Sequence, residues 1–472
     1  MEGYTAFASA NNHDFTFKPS DSGLEVFSTE DPANFSIDEK DWPIYKANNN
    51  RSASVPVEVS RSVIQKWEYK PANDYLPTAA ISADEYVFVA GKDGAIRCLN
   101  ENDGSVKWIS FTEGQIKVAP TLWEGYLFVG SSDGYIYAFE ALTGKLIWRF
   151  NTTPAERYIR NHADIVSTWS VNTGIIVDKG VLYAASGIVG WNGMFVCAIN
   201  AKTGKLKWVN LDSSFYLDPN NHVGASPHGI MVIAKGKLWF CGGSRRTSIV
   251  GYDLETGTFT PPVTIMKSSH GMDMGSFRGN LFVSGTRLHA PVNARRFGKD
   301  LSFTITRIDQ DGNMILPTIS LPTSTASPAW DDKSIIYESY RRSKFASIGM
   351  YDVSAIEKEI LATTVVEKPS NNKPFVINKT PTINPTPLWK ATGTVYGLAL
   401  AENVVITIAC NETVTSKSAL ADKWTLKIYS RSDGKETSSI ELQSEPLMGA
   451  MCITRNGSIV IPCINGKIVT FK

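Results

Sequence analysis

One short unit recurs along this chain, and the recurrence constrains the fold more than any other feature. The stretch YIYAFEALTGKLIWRF at 135–150 is matched by AIRCLNENDGSVKWISF at 95–111 and by FVCAINAKTGKLKWVNL at 195–211. Each copy reads as a strand with alternating side chains, a turn built on glycine, and a second strand with tryptophan. The turn glycine returns at Gly104, Gly144, Gly204, Gly257, Gly312 and Gly434, and tryptophan follows at one offset in Trp108, Trp148 and Trp208.

The copies lie within a larger unit of four short strands. A period of roughly 40 to 50 residues that holds four strands is typical of a β-propeller blade. Eight units begin near Pro77, Lys117, Ser167, Val223, Gly271, Ser327, Val395 and Pro446. The pattern therefore predicts an all-β, eight-bladed β-propeller, in which the tryptophan of one blade packs onto the turn of the next.

The two ends of the propeller sequence support the count of eight. The last unit supplies only three strands, whereas VIQKWEYK at 63–70 is a strand without a blade of its own. We expect this N-terminal strand to become the outer strand of the last blade and to close the ring. A seven-bladed ring is the alternative, and it would require the fifth or sixth unit to be a long insertion.

The domain organisation follows from the same reading. Residues 61–472 are expected to form one propeller, and residues 1–60 do not fit a blade. We interpret residues 1–60 as an N-terminal extension packed on the outside or as the tail of an upstream domain.

The docking repeats FEALTGKLIW, INAKTGKLKW and LNENDGSVKW resemble those of the pyrroloquinoline-quinone-like β-propellers. That superfamily includes quinoprotein dehydrogenases and the lipoprotein of the outer-membrane assembly machine. The chain is also similar, over nearly its whole length, to uncharacterised secreted members from planctomycete-like bacteria. The resemblance implies a periplasmic or extracellular protein, and it specifies the fold better than the chemistry.

Composition narrows the function classes. The chain carries 47 basic and 46 acidic side chains, so no general affinity for nucleic acid or anionic membranes is expected. No apolar run approaches the 18 or so residues that a membrane span needs. The six cysteines form no CxxC pair and lie in apolar strands, which indicates buried thiols rather than a zinc or redox site.

Propeller geometry assigns the unusual residues to one face. The turns of the TGK type share a face with the turns between first and second strands, and the longer loops lie on the opposite face. That opposite face carries the candidate ligand-binding residues Arg157, Arg160, His162, Trp169, Trp191, Arg245, Arg246, Arg287 and Arg341. It also carries the candidate catalytic residues His222, His228, His270, His289 and Tyr340.

Three functions fit such a face. The first is binding of an anionic or polar polymer, a glycan or a partner protein, by arginine forks and by aromatic rings such as Trp169 and Trp191. The second is β-elimination on a uronic-acid polysaccharide, in which arginine neutralises the carboxylate and histidine or tyrosine acts as base and acid. The third is a quinoprotein dehydrogenase, which the residues favour least because no adjacent cysteines and no rim carboxylate cluster stand out.

The sequence predicts no cofactor. His222, His228, His270 and His289 offer imidazole nitrogens for a transition metal, but their spacing matches no compact ligand set. Pyrroloquinoline quinone and a divalent metal thus stay open without support from the residues.

Overall fold

The computed structural model describes residues 20–33, 35–161, 163–188, 192–215, 227–242, 249–260, 273–284, 303–321, 327–341, 344–363, 382–393, 395–414 and 419–472. Two strands precede the first complete blade, β1 (Leu24–Val26) and β2 (Gln65–Tyr69). Short 3-10 helices cover Asp21–Gly23 and Asp212–Phe215.

Four-stranded antiparallel sheets then follow one another as blades. Blade 1 consists of β3 (Ile81–Ala83), β4 (Tyr86–Ala90), β5 (Ala95–Asn100) and β6 (Val106–Phe111). Blade 2 consists of β7 (Thr121–Trp123), β8 (Tyr126–Gly130), β9 (Tyr135–Glu140) and β10 (Leu146–Asn151). A hairpin of β11 (Tyr158–Asn161) and β12 (Asp164–Ser167) separates them from blade 3, which consists of β13 (Ile176–Asp178), β14 (Val181–Ser186), β15 (Phe195–Asn200) and β16 (Leu206–Asn210).

Blade 4 consists of β17 (Pro227–Ala234), β18 (Lys237–Gly242), β19 (Ile249–Asp253) and β20 (Phe259–Thr260). Blade 5 consists of β21 (Asp273–Phe277), β22 (Asn280–Ser284), β23 (Phe303–Ile308) and β24 (Met314–Leu321). Blade 6 consists of β25 (Ala329–Trp330), β26 (Ser334–Arg341), β27 (Lys344–Asp352) and β28 (Trp389–Thr392), with helix α1 (Val353–Ala362) after β27. Blade 7 consists of β29 (Val395–Leu400), β30 (Val404–Val414), β31 (Ala419–Ser430) and β32 (Glu436–Leu442). The C-terminal strands of blade 8 are β33 (Cys452–Ile453), β34 (Ile459–Pro462) and β35 (Ile468–Phe471).

The predicted closure of the ring is confirmed. Strand β2 pairs antiparallel with β35, with Gln65 opposite Phe471 and Tyr69 opposite Ile468, and it becomes the outer strand of blade 8. Backbone bonds of 3.0 Å in both directions between Ile64 and Lys472 extend this pairing. The protein is therefore an eight-bladed propeller whose last blade contains strands from both ends of the propeller sequence.

The tryptophans pack across the blade junctions as predicted. The Trp108 indole nitrogen donates to the carbonyl of Ala141 at 3.1 Å, and its ring fills the space where a side chain at Gly144 would lie. Trp148 and Trp208 repeat this contact at the next two junctions. In the described part of the chain, Trp67 and Trp389 do the same, although the sequence reading did not single them out.

Among the described residues, three of the eight junctions lack this contact: those into blades 5 and 6, and the one into blade 8, where no turn joins β35 to the outer strand β2. At blade 5, the aliphatic stem of Lys237 rather than an indole approaches Gly312. At blade 6, helix α1 replaces the glycine turn and packs Val353, Ile356 and Ile360 into the core. The repeat signal weakens in these units because the packing that it encodes has changed.

Candidate functional site

The blades present two distinct ends. Turns between first and second strands bond to turns between third and fourth strands, as in the 2.8 Å bond from the Ala141 amide to the carbonyl of Gly125, and we call this end the turn face. Loops between second and third strands bond to blade-linking segments, as in the 3.0 Å bond from the Thr112 amide to the carbonyl of Gly94. This second end is the loop face, and the structure thus bears out the predicted division of the connections.

The sequence-predicted site residues fall into three groups in the structure. His162, Trp191, His222, Arg245, Arg246, His270, Arg287 and His289 lie outside the described residues. Backbone positions alone are given for His228 in β17, opposite Cys241, and for Tyr340 and Arg341 at the end of β26, where Arg341 is opposite Lys344. Side chains are described for Arg157, Arg160 and Trp169, so a convergent site of all these residues stays a prediction.

The hairpin β11–β12 carries the described part of the predicted site. One side of the hairpin packs Ile159 and Val166 against Ile188 in a small apolar cluster. The opposite side exposes Arg160 and Ile165, which are opposite each other in the pairing register. Tyr158, which is 51% exposed, shares this side, and the hairpin therefore presents apolar and cationic groups together.

An ion pair anchors the hairpin to blade 1. Lys92 Nζ lies 2.7 Å from Asp164 Oδ2. Burial raises the pKa of Asp164, but hydrogen bonds from Lys92 and Gln115 and the charge of Lys117 outweigh burial and lower the pKa. Two lysines thus lie beside this carboxylate, whereas burial and the charges of Glu156, Asp133 and Glu113 raise the pKa of Tyr158 at the start of the hairpin.

Trp169 follows the hairpin and faces inward. It is 5% exposed, its indole nitrogen donates to the carbonyl of Asn192 at 2.9 Å, and its ring tilts against Phe195. A sugar ring on the loop face would therefore meet little of this indole surface.

The eight blades surround a central channel, and residues 41–59 form a belt across its turn-face end. The belt meets the blades through Trp42 with Ser82, Pro43 with Leu122, Asn49 with Val177, Arg51 with Met231, Asn50 with Ser276, Ser52 with Trp330, Ala53 with Leu400, and Asp41 with Arg455. These partners belong to blades 1 to 8 in turn. One continuous segment consequently contacts every blade of the ring.

Backbone strain marks the places where the belt enters the channel. Lys46, Ala47, Arg51 and Ala53 have φ angles of 57°, 74°, 62° and 51°, in the left-handed region that residues with a Cβ seldom adopt. Each such residue costs roughly 1–3 kcal/mol and persists only where surrounding contacts fix it. The contacts of Lys46 and Arg51 supply that constraint.

Buried charges hold the belt in place. Lys46 Nζ lies 2.6 Å from Asp273 Oδ2, and Ser327 donates to the same oxygen. Arg51 donates to the carbonyls of Met231 and Tyr45 at 2.9–3.1 Å. Burial lowers the pKa of Lys46, and the charge of Asp273 offsets part of that effect. Burial likewise lowers the pKa of Arg51 to about 10.

At the turn-face end of the channel, the described residues leave no room for a tricyclic quinone. Tyr45 of the belt reaches between Ala79, Ile230 and Met448, and a free volume of about 10 Å³ is left beside it. A cavity of this size holds about one water molecule. Lys117 lines the same cavity, and among the described residues no group of three His, Cys, Asp or Glu side chains has the arrangement of a metal site.

A groove of about 690 Å³ lies on the turn face between blades 5 and 7. Its floor is the belt, which contributes Asn48, Asn50 and Ser52. Its arginines are engaged by carboxylates, as in the pair of Arg431 with Asp331. The groove therefore has a polar lining in which the guanidinium charges are already neutralised.

All six cysteines are buried and free. Burial raises the pKa of the Cys197 and Cys463 thiols to about 12. The thiols therefore behave as small apolar core groups, in agreement with the sequence reading. No helix among the described residues is long and apolar enough to cross a membrane.

Fold, docking tryptophans and ring closure together define an eight-bladed β-propeller, and its repeats are similar to those of the pyrroloquinoline-quinone-like superfamily. Residues 65–208 match the family model described as "Outer membrane protein assembly factor BamB". The predicted closeness to planctomycete members stays a prediction.

Two kinds of relative share part of the sequence. The dehydrogenase subunit of the quinone-dependent alcohol dehydrogenase of Acetobacter aceti is 36% identical over 100 residues, which are 21% of this chain and 12% of that protein. The outer membrane protein assembly factor BamB of Moranella endobia is 28% identical over 156 residues, 32% of this chain and 37% of that protein. The chain thus matches about an eighth of the length of the dehydrogenase.

Solved structures extend the likeness of the fold to most of the chain. The quinohemoprotein alcohol dehydrogenase ADHIIG of Pseudomonas putida covers 94% of this chain and is itself covered to 83%, with a TM-score of 0.59 and 13% identity. BamB of Moraxella catarrhalis covers 87% of this chain and is covered to 99%, with a TM-score of 0.50 and 11% identity. At these identities the likeness concerns the fold alone.

Proposed function

We propose that this protein is an extracytoplasmic binding propeller that holds an acidic protein partner on its loop face, with the hairpin β11–β12 as the contact element. The observation that carries the proposal is the hairpin itself, which is anchored below by Ile159 and Val166 and exposes Tyr158, Arg160 and Ile165 above. Aromatic residues and arginine are enriched in protein interfaces, and a rigid support lowers the entropic cost of binding.

The cationic groups near Asp164 favour an acidic surface on the partner. Lys92 and Lys117 lie beside the carboxylate of Asp164, and Arg160 is exposed on the hairpin, whereas the charges of Glu156, Asp133 and Glu113 act on Tyr158 at its start. Complementary potentials of this kind speed association and exclude cationic partners. Affinity should consequently fall as salt is raised.

The occupied turn-face end of the channel supports binding over quinone chemistry at that end. Tyr45, Lys46 and Arg51 of the chain itself occupy the turn-face end, where they are held by Asp273 and by backbone carbonyls. The partial likeness to BamB, which is named an assembly factor, agrees with a partner-binding role and with a location outside the cytoplasm.

Site-specific photo-cross-linking tests the proposal. A photoreactive residue at position 165 should capture one dominant protein in cells that produce the chain. The matched control is position 361 on helix α1, because Leu361 is 78% exposed and Ile165 is 77% exposed. Equal capture of the same proteins at both positions would contradict the hairpin as the contact element.

Binding measurements on the captured partner complete the test. Ile165→Asp and Arg160→Glu should each lower the affinity at least tenfold, whereas Leu361→Asp should leave it unchanged. Mixing the protein with uronate-containing polysaccharides and following the absorbance of the unsaturated product tests the alternative of β-elimination. Turnover in that assay would replace the binding proposal with the lyase prediction.

A further inference from the structure

The outer strand of blade 1 differs from the other described outer strands in the side chains that it exposes. Strand β6 exposes Val106 and Ile109, each at 43%, and Phe111 at 67%, with Lys107 as its one charged residue. The outer strand of blade 7 instead exposes Glu436, Thr437, Ser439 and Glu441. Proteins usually protect exposed sheet edges with charged residues, and β6 largely lacks this protection.

The chain itself shows how such an edge can be covered. Strand β1 adds to the outer strand of blade 2, antiparallel to β10, with Leu24 opposite Phe150 and Val26 opposite Trp148. Between them, both carboxylate oxygens of Glu25 lie 3.0 Å from the guanidinium of Arg149. Backbone pairing supplies the contact, and one ion pair matches the added strand to this edge.

The same position in blade 1 carries a different residue. Trp108 and Trp148 occupy equivalent places in their blades, so Ile109 corresponds to Arg149. Among the described residues, no strand pairs with the outer side of β6. An added strand there would meet an aliphatic side chain where β1 meets a cation.

We propose that β6 accepts an extended segment of a protein partner as a fifth strand, antiparallel, and that Ile109 selects an apolar residue at the position that Glu25 occupies in β1. Strand addition of this kind obtains affinity from main-chain hydrogen bonds and specificity from alternate side chains. The surface is separate from the hairpin β11–β12, so the proposal does not depend on the function proposed for the hairpin.

Two labelled heptapeptides test the proposal. One copies residues 22–28, SGLEVFS, and the other replaces its glutamate to give SGLVVFS. Cross-strand pairs differ modestly in energy, so wild-type protein should bind SGLVVFS about threefold to fivefold more tightly than it binds SGLEVFS. Ile109→Arg, which recreates the edge of blade 2, should reverse this preference. The control Ser439→Arg on the exposed outer strand of blade 7 should leave it unchanged.

Fluorescence anisotropy gives the affinities, and amide hydrogen exchange locates the bound peptide. The proposal expects slower exchange in residues 106–111 on addition of SGLVVFS. Absence of binding, protection confined to other blades, or a preference that Ile109→Arg leaves unaltered would each overturn it. Matching thermal unfolding of both arginine variants establishes that a changed preference does not reflect misfolding.

Discussion

The junction between the first and last blades offers the sharpest test of ring closure. Glu101 of blade 1 is fully buried and accepts hydrogen bonds from three side chains of blade 8. Thr454 Oγ1 and Ser458 Oγ lie 2.7 and 2.9 Å from Oε1, and Asn456 Nδ2 lies 2.8 Å from Oε2. We predict that Glu101→Ala destabilises the protein by weakening this junction.

The magnitude follows from the donors that the substitution leaves behind. Each buried donor without an acceptor costs about 1–3 kcal/mol. Thr454 and Ser458 are buried, so their two hydroxyls give an expected loss of about 2–6 kcal/mol in the free energy of unfolding. Glu101→Gln keeps an acceptor oxygen and loses mainly the charge, so its cost should be smaller, about 1–3 kcal/mol.

Urea unfolding followed by tryptophan fluorescence measures the loss, with Glu140→Ala as the control. Glu140 occupies the adjacent turn of blade 2 but bonds the Ala33 amide and Thr143 near the surface, so its loss should cost about 1 kcal/mol or less. Amide exchange should accelerate in β2 and β35 of the Glu101 variant. A loss below 1 kcal/mol together with unchanged exchange in these strands would refute the closure argument.

Three further outcomes are expected. Asp273→Asn should cost about 3–5 kcal/mol in urea unfolding because it leaves Lys46 as a buried charge without its partner. The pKa of Lys46 is lowered in the folded state, so this group binds more protons in the unfolded chain between that pKa and the usual 10.5. The slope of stability against pH in this window should therefore be more positive in wild type than in Lys46→Met, and parallel pH profiles would contradict this. Gly144→Ala should cost more than Gly236→Ala, since both glycines have φ near +72° but only a methyl group at Gly144 meets Trp108, at 2.5 Å; equal melting temperatures would contradict this docking role.

The sequence allowed the ring to be predicted because its evidence is local and repeated. A strand period, a turn glycine and a tryptophan at fixed spacing indicate one blade each, and the unpaired strand at 63–70 matched the strand missing from the last blade. The boundary of blade 3 was less accurate, since it begins at Ile176 rather than near Ser167. The hairpin β11–β12, which carries alternating residues of its own, ends at Ser167, and residues 168–175 lead to β13 without forming a strand.

The belt could not be derived in the same way. Val55, Val57 and Val59 alternate with exposed residues and do signal an extended, half-buried segment. Its partners, however, lie one by one on eight different blades, and no period connects them. The pairing of Lys46 with Asp273 joins residues 227 positions apart, so only the folded ring reveals it.

The location of the two proposed surfaces leads to a test of whether one partner uses both. The loop that contains Lys92 and Gly94 binds Asp164 of the hairpin on one side and the Thr112 amide, just beyond β6, on the other. A partner that spans both surfaces would gain from the high effective concentration of its second contact. Ile165→Asp and Ile109→Arg should then show a large coupling in a double-mutant cycle on the captured partner. Additive losses would instead assign the two surfaces to independent contacts, because sites that do not share a ligand element do not couple.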